Sequence, residues 1–221
     1  MNDTDAPAPD KVSGLTLALN WLPFLYIVAG VAIALSMGWQ GKLLVAFALA
    51  WIYLLPPLVC RATLAIAGYP QGRDLDQSAS AYRLWWFLAQ WQVVLNRVPV
   101  LDELLRLVPG LYPLWLRLWG SRVSLFAYWA PGALIIDRYL VQVERGAVIG
   151  TGAVLSGHLG VQGDDGTFRV DVAPIVIGAG AIIGAGAKVG PGCQVAADEL
   201  VPAGRLLKPF TTWQRGRKHT G

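Results

Sequence analysis

Every sixth residue across the second half of this 221-residue chain is apolar. The series runs Val123, Trp129, Ile135 and Val141. It resumes two residues on at Val143, Ile149, Leu155 and Val161, and after ten extra residues continues as Ile177, Ile183, Val189, Val195 and Val201. Four residues after these anchors the side chain is mostly small, at Ala127, Ala133, Ala147, Ala153, Ala181, Ala187 and Cys193. Three residues after many of them stands glycine, at Gly132, Gly146, Gly152, Gly180, Gly186, Gly192 and Gly204. A short strand with one inward aliphatic, followed by a tight corner needing a small residue or positive φ, accounts for all three columns.

The period therefore predicts an all-β parallel β-helix of hexapeptide repeats over 120–205, about four coils, with an extruded loop near 162–173. Helices are excluded here by the glycines. Asp165-Gly166, between Val161 and Val170, reads as the turn of a hairpin leaving the coil.

The first half of the chain obeys another solvent. Hydrophobic residues make up 55% of the sequence and charged ones only 14%, well off the balance of an ordinary soluble domain. Intrinsic disorder needs the opposite composition. Residues 1–14 are polar and predict a disordered lead-in. No charge interrupts Leu15 to Met37, and a second apolar run extends from Leu43 to about Tyr69, broken by Pro56-Pro57 and Arg61. Both are long enough to cross a bilayer as helices. The expectation over 15–69 is a membrane α-helical hairpin, with spans near 15–37 and 43–68. Arg61, Arg73 and Arg83 follow it while the break carries only Lys42, which places both termini in the cytoplasm. An acidic lead-in and a long apolar run disfavour a cleaved signal peptide.

Residues 70–119 interleave Tyr82, Trp85, Trp86, Trp91, Trp115 and Trp119 with Arg83, Arg97, Arg106 and Arg117. That pattern predicts amphipathic interfacial helices lying on the membrane surface. Residues 206–221 form a basic tail, read as drawn to anionic membrane lipid. With only Phe210 and Trp213 to stack, nucleic acid is not expected as a partner. Cys60 and Cys193 read as small buried residues.

Chemistry narrows to one side chain. His219 lies in the basic tail, whereas His158 occupies the corner position that glycine fills in seven other repeats, directly before the extruded loop. An imidazole there is a general-base candidate, since it titrates near neutral pH. No metal is expected, because a metal centre of the γ-class carbonic anhydrase kind needs three histidines.

The run Val143 to His158, its loop, and Pro174 to Gly192 resemble the hexapeptide-repeat acyltransferases. The stretch from Trp91 to Gly120 is similar to membrane-attached members, including the membrane-bound terminal modules of polylysine-type peptide synthetases. The resemblance implies a left-handed coil, a homotrimer, and direct acyl transfer from acyl-CoA to a hydroxyl or amine on a hydrophobic or lipid-linked acceptor, with His158 as base. Coenzyme A is then expected to meet Gly184, Lys188, Arg205 and Lys208. Many members carry Asn-Val-Trp-Ile-Gly where this chain has Gly180-Ala-Ile-Ile-Gly184, so the alternative is a silent membrane-anchored trimeric scaffold. The location implied is the bacterial inner membrane.

Overall fold

The computed structural model describes residues 13–163 and 167–220. Most of the 1–14 lead-in and the Asp165-Gly166 turn lie outside the described residues.

Two apolar rods open the chain. The first joins α1 (Gly14–Leu19) and α2 (Leu22–Ser36), the second α3 (Gly41–Tyr53) and α4 (Leu55–Ala67). Ser13 Oγ caps α1 by accepting from the Thr16 amide. Pro56 and Pro57 sit in the first turn of α4, where missing N–H groups cost nothing, so the rod bends at Leu54 rather than ending. Most of both rods is uncovered by protein: Phe24, Leu25, Val31, Leu35, Leu43 and Leu49 are all more than half exposed. α3 has no buried residue at all.

Strand β1 (Gly72–Leu75) follows, then α5 (Ser80–Arg97), α6 (Val100–Arg106) and α7 (Leu111–Leu118). The strand corrects the expectation of helices alone over 70–119. Glycine and aspartate disfavour strands, and β1 exists because it pairs antiparallel with a strand of the extruded hairpin. α5 also departs from a surface-lying amphipath. It packs on α1, α2 and α4, while Asn96 and Gln92 on it bond the first coil of the β domain. α6 and α7 do keep an exposed apolar stripe, at Leu104, Leu107, Val108, Leu111 and Leu114.

From residue 122 the strands come in threes. β2 (Arg122–Val123), β3 (Tyr128–Trp129) and β4 (Leu134–Ile135) are followed by β5 (Val141–Val143), β6 (Val148–Ile149) and β7 (Val154–Leu155). The chain then leaves as the antiparallel hairpin β8 (His158–Gln162) and β9 (Phe168–Val172). It returns through β10 (Ile175–Ile177), β11 (Ile182–Ile183), β12 (Lys188–Val189), β13 (Gln194–Val195), β14 (Leu200–Val201) and β15 (Leu206–Leu207). It ends in β16 (Thr211–Gln214) and β17 (Arg217–Thr220). Successive coil strands fall in turn to three parallel sheets, β2-β5-β10-β13-β16, β3-β6-β11-β14 and β4-β7-β12-β15. The chain is thus a three-faced coil, and the inward anchors Ile135, Ile149, Leu155, Ile177 and Ile183 are fully buried along its axis.

Two repeat assignments change. Val161 is no anchor, because it lies in the hairpin opposite Arg169. The coil also runs past 205, since Leu207 and Trp213 are buried in register with Val189 and Val195. The region expected as a basic tail from 206 instead completes the fourth coil and closes in the β16–β17 hairpin. All seven column glycines have φ between 64° and 74°, and Asp198 (59°) and Phe210 (57°) take the same left-handed conformation without being glycine.

Candidate active site

His158 is not such a corner residue. It opens β8, where the chain quits the coil, and its side chain retains 26% of its exposure. Its Nδ1 lies 2.7 Å from Oδ2 of Asp137, a carboxylate only 1% exposed. A carboxylate only accepts, so Nδ1 carries the proton and donates it, which leaves Nε2 with a free lone pair. Trp85 on α5 covers the imidazole, ring centroids 4.8 Å apart. Gly157 allows the close approach: a Cβ there would stand 2.7 Å from Leu140 Cβ and 3.2 Å from Asp137 Cβ. Ser156 Oγ donates to the His158 carbonyl at 2.7 Å and fixes the backbone at the exit.

Burial presses the imidazole towards its neutral form, but the charge of Asp137 and the hydrogen bond to it outweigh that effect. The pKa of His158 is raised above the ordinary 6.5.

Asp137 escapes a reading by repeats because it belongs to none. It precedes the short 3-10 turn Arg138–Leu140, which separates β4 from β5. The two-residue slip between Val141 and Val143 is the trace this turn leaves in the sequence. Its next residue, Arg138, is fully buried. The guanidinium donates to both oxygens of Asp102 on α6 at 3.0 and 3.1 Å and to Asn96 Oδ1 on α5 at 2.7 Å. Its backbone N–H donates to Gln92 Oε1 at 2.7 Å. Tyr112 on α7 completes the cluster by donating to Asp102 at 3.0 Å. Three helices therefore hold the turn that presents Asp137.

The other candidates separate. Lys188 and Arg205 are both exposed on adjacent coils, joined by the bond from the Lys188 N–H to the Arg205 carbonyl at 2.8 Å. The Arg205 guanidinium lies 5.5 Å from the Trp213 ring centre. Lys208 is exposed directly after β15, before the corner at Pro209 and Phe210. Gly184 is a packing position: a Cβ there would meet Ala203 N at 2.5 Å and Val201 O at 2.6 Å on the following coil.

No family model matches the sequence, and no curated protein matches it. Among solved structures, the chain aligns with serine acetyltransferase isoform 3 of Entamoeba histolytica in complex with cysteine, at 13% identity over 92% of this chain and 84% of that one, TM-score 0.24. It also aligns with the serine acetyltransferase of Neisseria gonorrhoeae in complex with serine, at 15% identity over 90% of this chain and 96% of that one, TM-score 0.29.

Proposed function

We propose that the chain is an acyl-CoA-dependent acyltransferase held at a membrane, with His158 as general base and Asp137 as the residue that orients it. The observation that carries this reading is the 2.7 Å bond that Nδ1 of a partly exposed imidazole donates to a buried carboxylate. That bond sets the tautomer with a basic Nε2. Nε2 takes the proton from an acceptor hydroxyl or amine as its oxygen or nitrogen attacks the thioester carbonyl. A new C–O or C–N bond forms, the C–S bond breaks, and the imidazolium returns the proton to the leaving thiolate. No covalent enzyme intermediate is involved.

Lys188 and Arg205, on one face of the last coils, are assigned to the phosphates of the donor, with Lys208 beyond them. Gly184 has a stacking role instead. The coil is read as the left-handed, homotrimeric body of the hexapeptide acyltransferases. Two rods of 23 and 27 residues, with only 11% and 17% of an 18-residue apolar stretch in each buried, support the membrane location. An acceptor that is itself hydrophobic or lipid-linked follows from that placement. The inner membrane of a bacterium, with both chain ends cytoplasmic, agrees with the arginines after the hairpin.

The test is thiol release by the full chain, purified in lipid nanodiscs, from a panel of acyl-CoAs of increasing chain length with lipid-extract acceptors. His158→Ala is expected to lower turnover by about 10²-fold or more while the oligomer mass stays constant. Unchanged turnover in that variant overturns the reading.

A further inference from the structure

The wall between the helical layer and the first coil contains a second polar site, which shares no residue with the dyad or with the Lys188–Arg205 pair. A cleft of about 430 Å³ is lined by Arg61 of α4, Arg117 of α7, and Ser121, Arg122, Val123 and Ser124 at the start of the coil. Three arginines thus line one space. None of them pairs with a carboxylate among the described residues.

Two of the three are held by neutral backbone. Arg61 Nη1 donates to the Arg117 carbonyl at 2.8 Å, and Arg117 Nε donates to the Val123 carbonyl at 2.7 Å. These bonds orient the groups without cancelling their charge, and each guanidinium keeps further N–H donors free. A gathering of like charges is unfavourable alone and becomes favourable around an anion that accepts from all of them.

We infer that this cleft binds a phosphate group, as a monoester or diester. A tetrahedral, multiply charged anion matches several planar guanidinium forks at once, which a single carboxylate does not. The placement points the same way. Arg61 lies near the end of the apolar rod Gly41–Ala67, so a phosphate at its level sits where the rod passes out of an apolar environment. The ligand is therefore a membrane lipid headgroup or a soluble phosphate, and the inference is independent of acyl transfer.

The full chain in neutral phosphatidylcholine nanodiscs is titrated with inorganic phosphate, and in parallel transferred to discs containing phosphatidic acid, with thermal unfolding as the readout. A saturable rise in the unfolding midpoint with inorganic phosphate identifies a soluble ligand. A rise with phosphatidic acid alone identifies a headgroup. In either case Arg122→Gln, which removes an exposed side chain with no side-chain hydrogen bond among the described residues, is expected to weaken the response about tenfold or more. Arg145→Gln, an equal loss of charge elsewhere on the coil, is expected to leave it unchanged. No response to either probe, or an equal loss in Arg145→Gln, overturns the inference.

Discussion

Arg138 and Asp102 form a fully enclosed ion pair, with Nη2 3.0 Å from Oδ2 and side-chain exposures of 0% and 5%. It joins the helical layer to the coil one residue after Asp137. Removing one member of such a pair strands the other charge away from water. Arg138→Met is therefore expected to cost about 3–5 kcal/mol, far more than a surface ion pair. Denaturant unfolding followed by tryptophan fluorescence measures it. A loss below about 1 kcal/mol means that water reaches Asp102.

The dyad makes a prediction about pH. With the His158 pKa raised by Asp137, the base is active only above that value, so turnover climbs as pH rises through it. Asp137→Asn removes the charge but leaves the burial, which acts in the opposite direction. The midpoint of the pH profile is then expected to move to lower pH while the plateau falls by about 10²-fold or more, since the imidazole loses its orienting acceptor. A merely structural Asp137 leaves the midpoint in place. Stability responds with the opposite sign. The raised folded pKa gives the His158–Asp137 pair a contribution that is full below the ordinary value of 6.5 and is lost as pH rises through the raised one. Unfolding midpoints of the wild type and Asp137→Asn should therefore converge towards alkaline pH.

The contrast between Asp137 and the anchors explains what was legible in the sequence. Ile149 or Ile183 repeats every six residues because each turn of coil presents one inward position, so burial writes itself into the period. Leu207 and Trp213 continue that beat, but the lysines, arginines and proline around them resemble a solvated tail. Val161 keeps the beat by coincidence in a hairpin that has left the coil. Histidine at 158 stood out as the missing glycine, although the corner conformation itself is absent there. Arg138, next to Asp137, lies 36 residues from Asp102 and 42 from Asn96, and pairing across such separations leaves no local pattern. Only the two-residue slip before Val143 marked the place. β1 was equally hidden, because its pairing partner rather than its composition makes it a strand.

Gly184 distinguishes packing from donor binding. A methyl group there meets backbone N and O of the next coil at 2.5 and 2.6 Å, and backbone cannot turn aside as a side chain does. Gly184→Ala is expected to cost about 1–3 kcal/mol of stability through overpacking. Thermal unfolding of the two proteins decides it. A normal unfolding midpoint with a raised KM for acyl-CoA assigns the residue to the donor instead.

Arg205 carries the complementary expectation. It is exposed, rests against Trp213, and its carbonyl accepts from the Lys188 N–H of the neighbouring coil. Arg205→Gln is expected to raise KM for acyl-CoA about tenfold and to leave kcat unchanged. A pantetheine thioester lacking the nucleotide phosphates should show no difference between the two proteins. An equal effect on both donors removes the phosphate role.

The turn between the two rods tests the membrane reading. At about 1.5 Å per residue, rods of 23 and 27 residues reach about 34 and 40 Å, beyond a hydrocarbon core of about 30 Å. The turn carries Gln40 and the start of the second rod Lys42, both costly to leave in hydrocarbon. With Arg61, Arg73 and Arg83 retained on the cytoplasmic side, the turn is expected to emerge on the opposite face. Cys60 and Cys193 are both fully buried, so a single introduced thiol can be read against a low background. Gln40→Cys should react with an impermeant maleimide in intact spheroplasts, and Arg97→Cys, exposed at the end of α5, only after lysis. The reverse pattern inverts the topology. Protection of Gln40→Cys before and after lysis means that the hairpin turns back inside the bilayer.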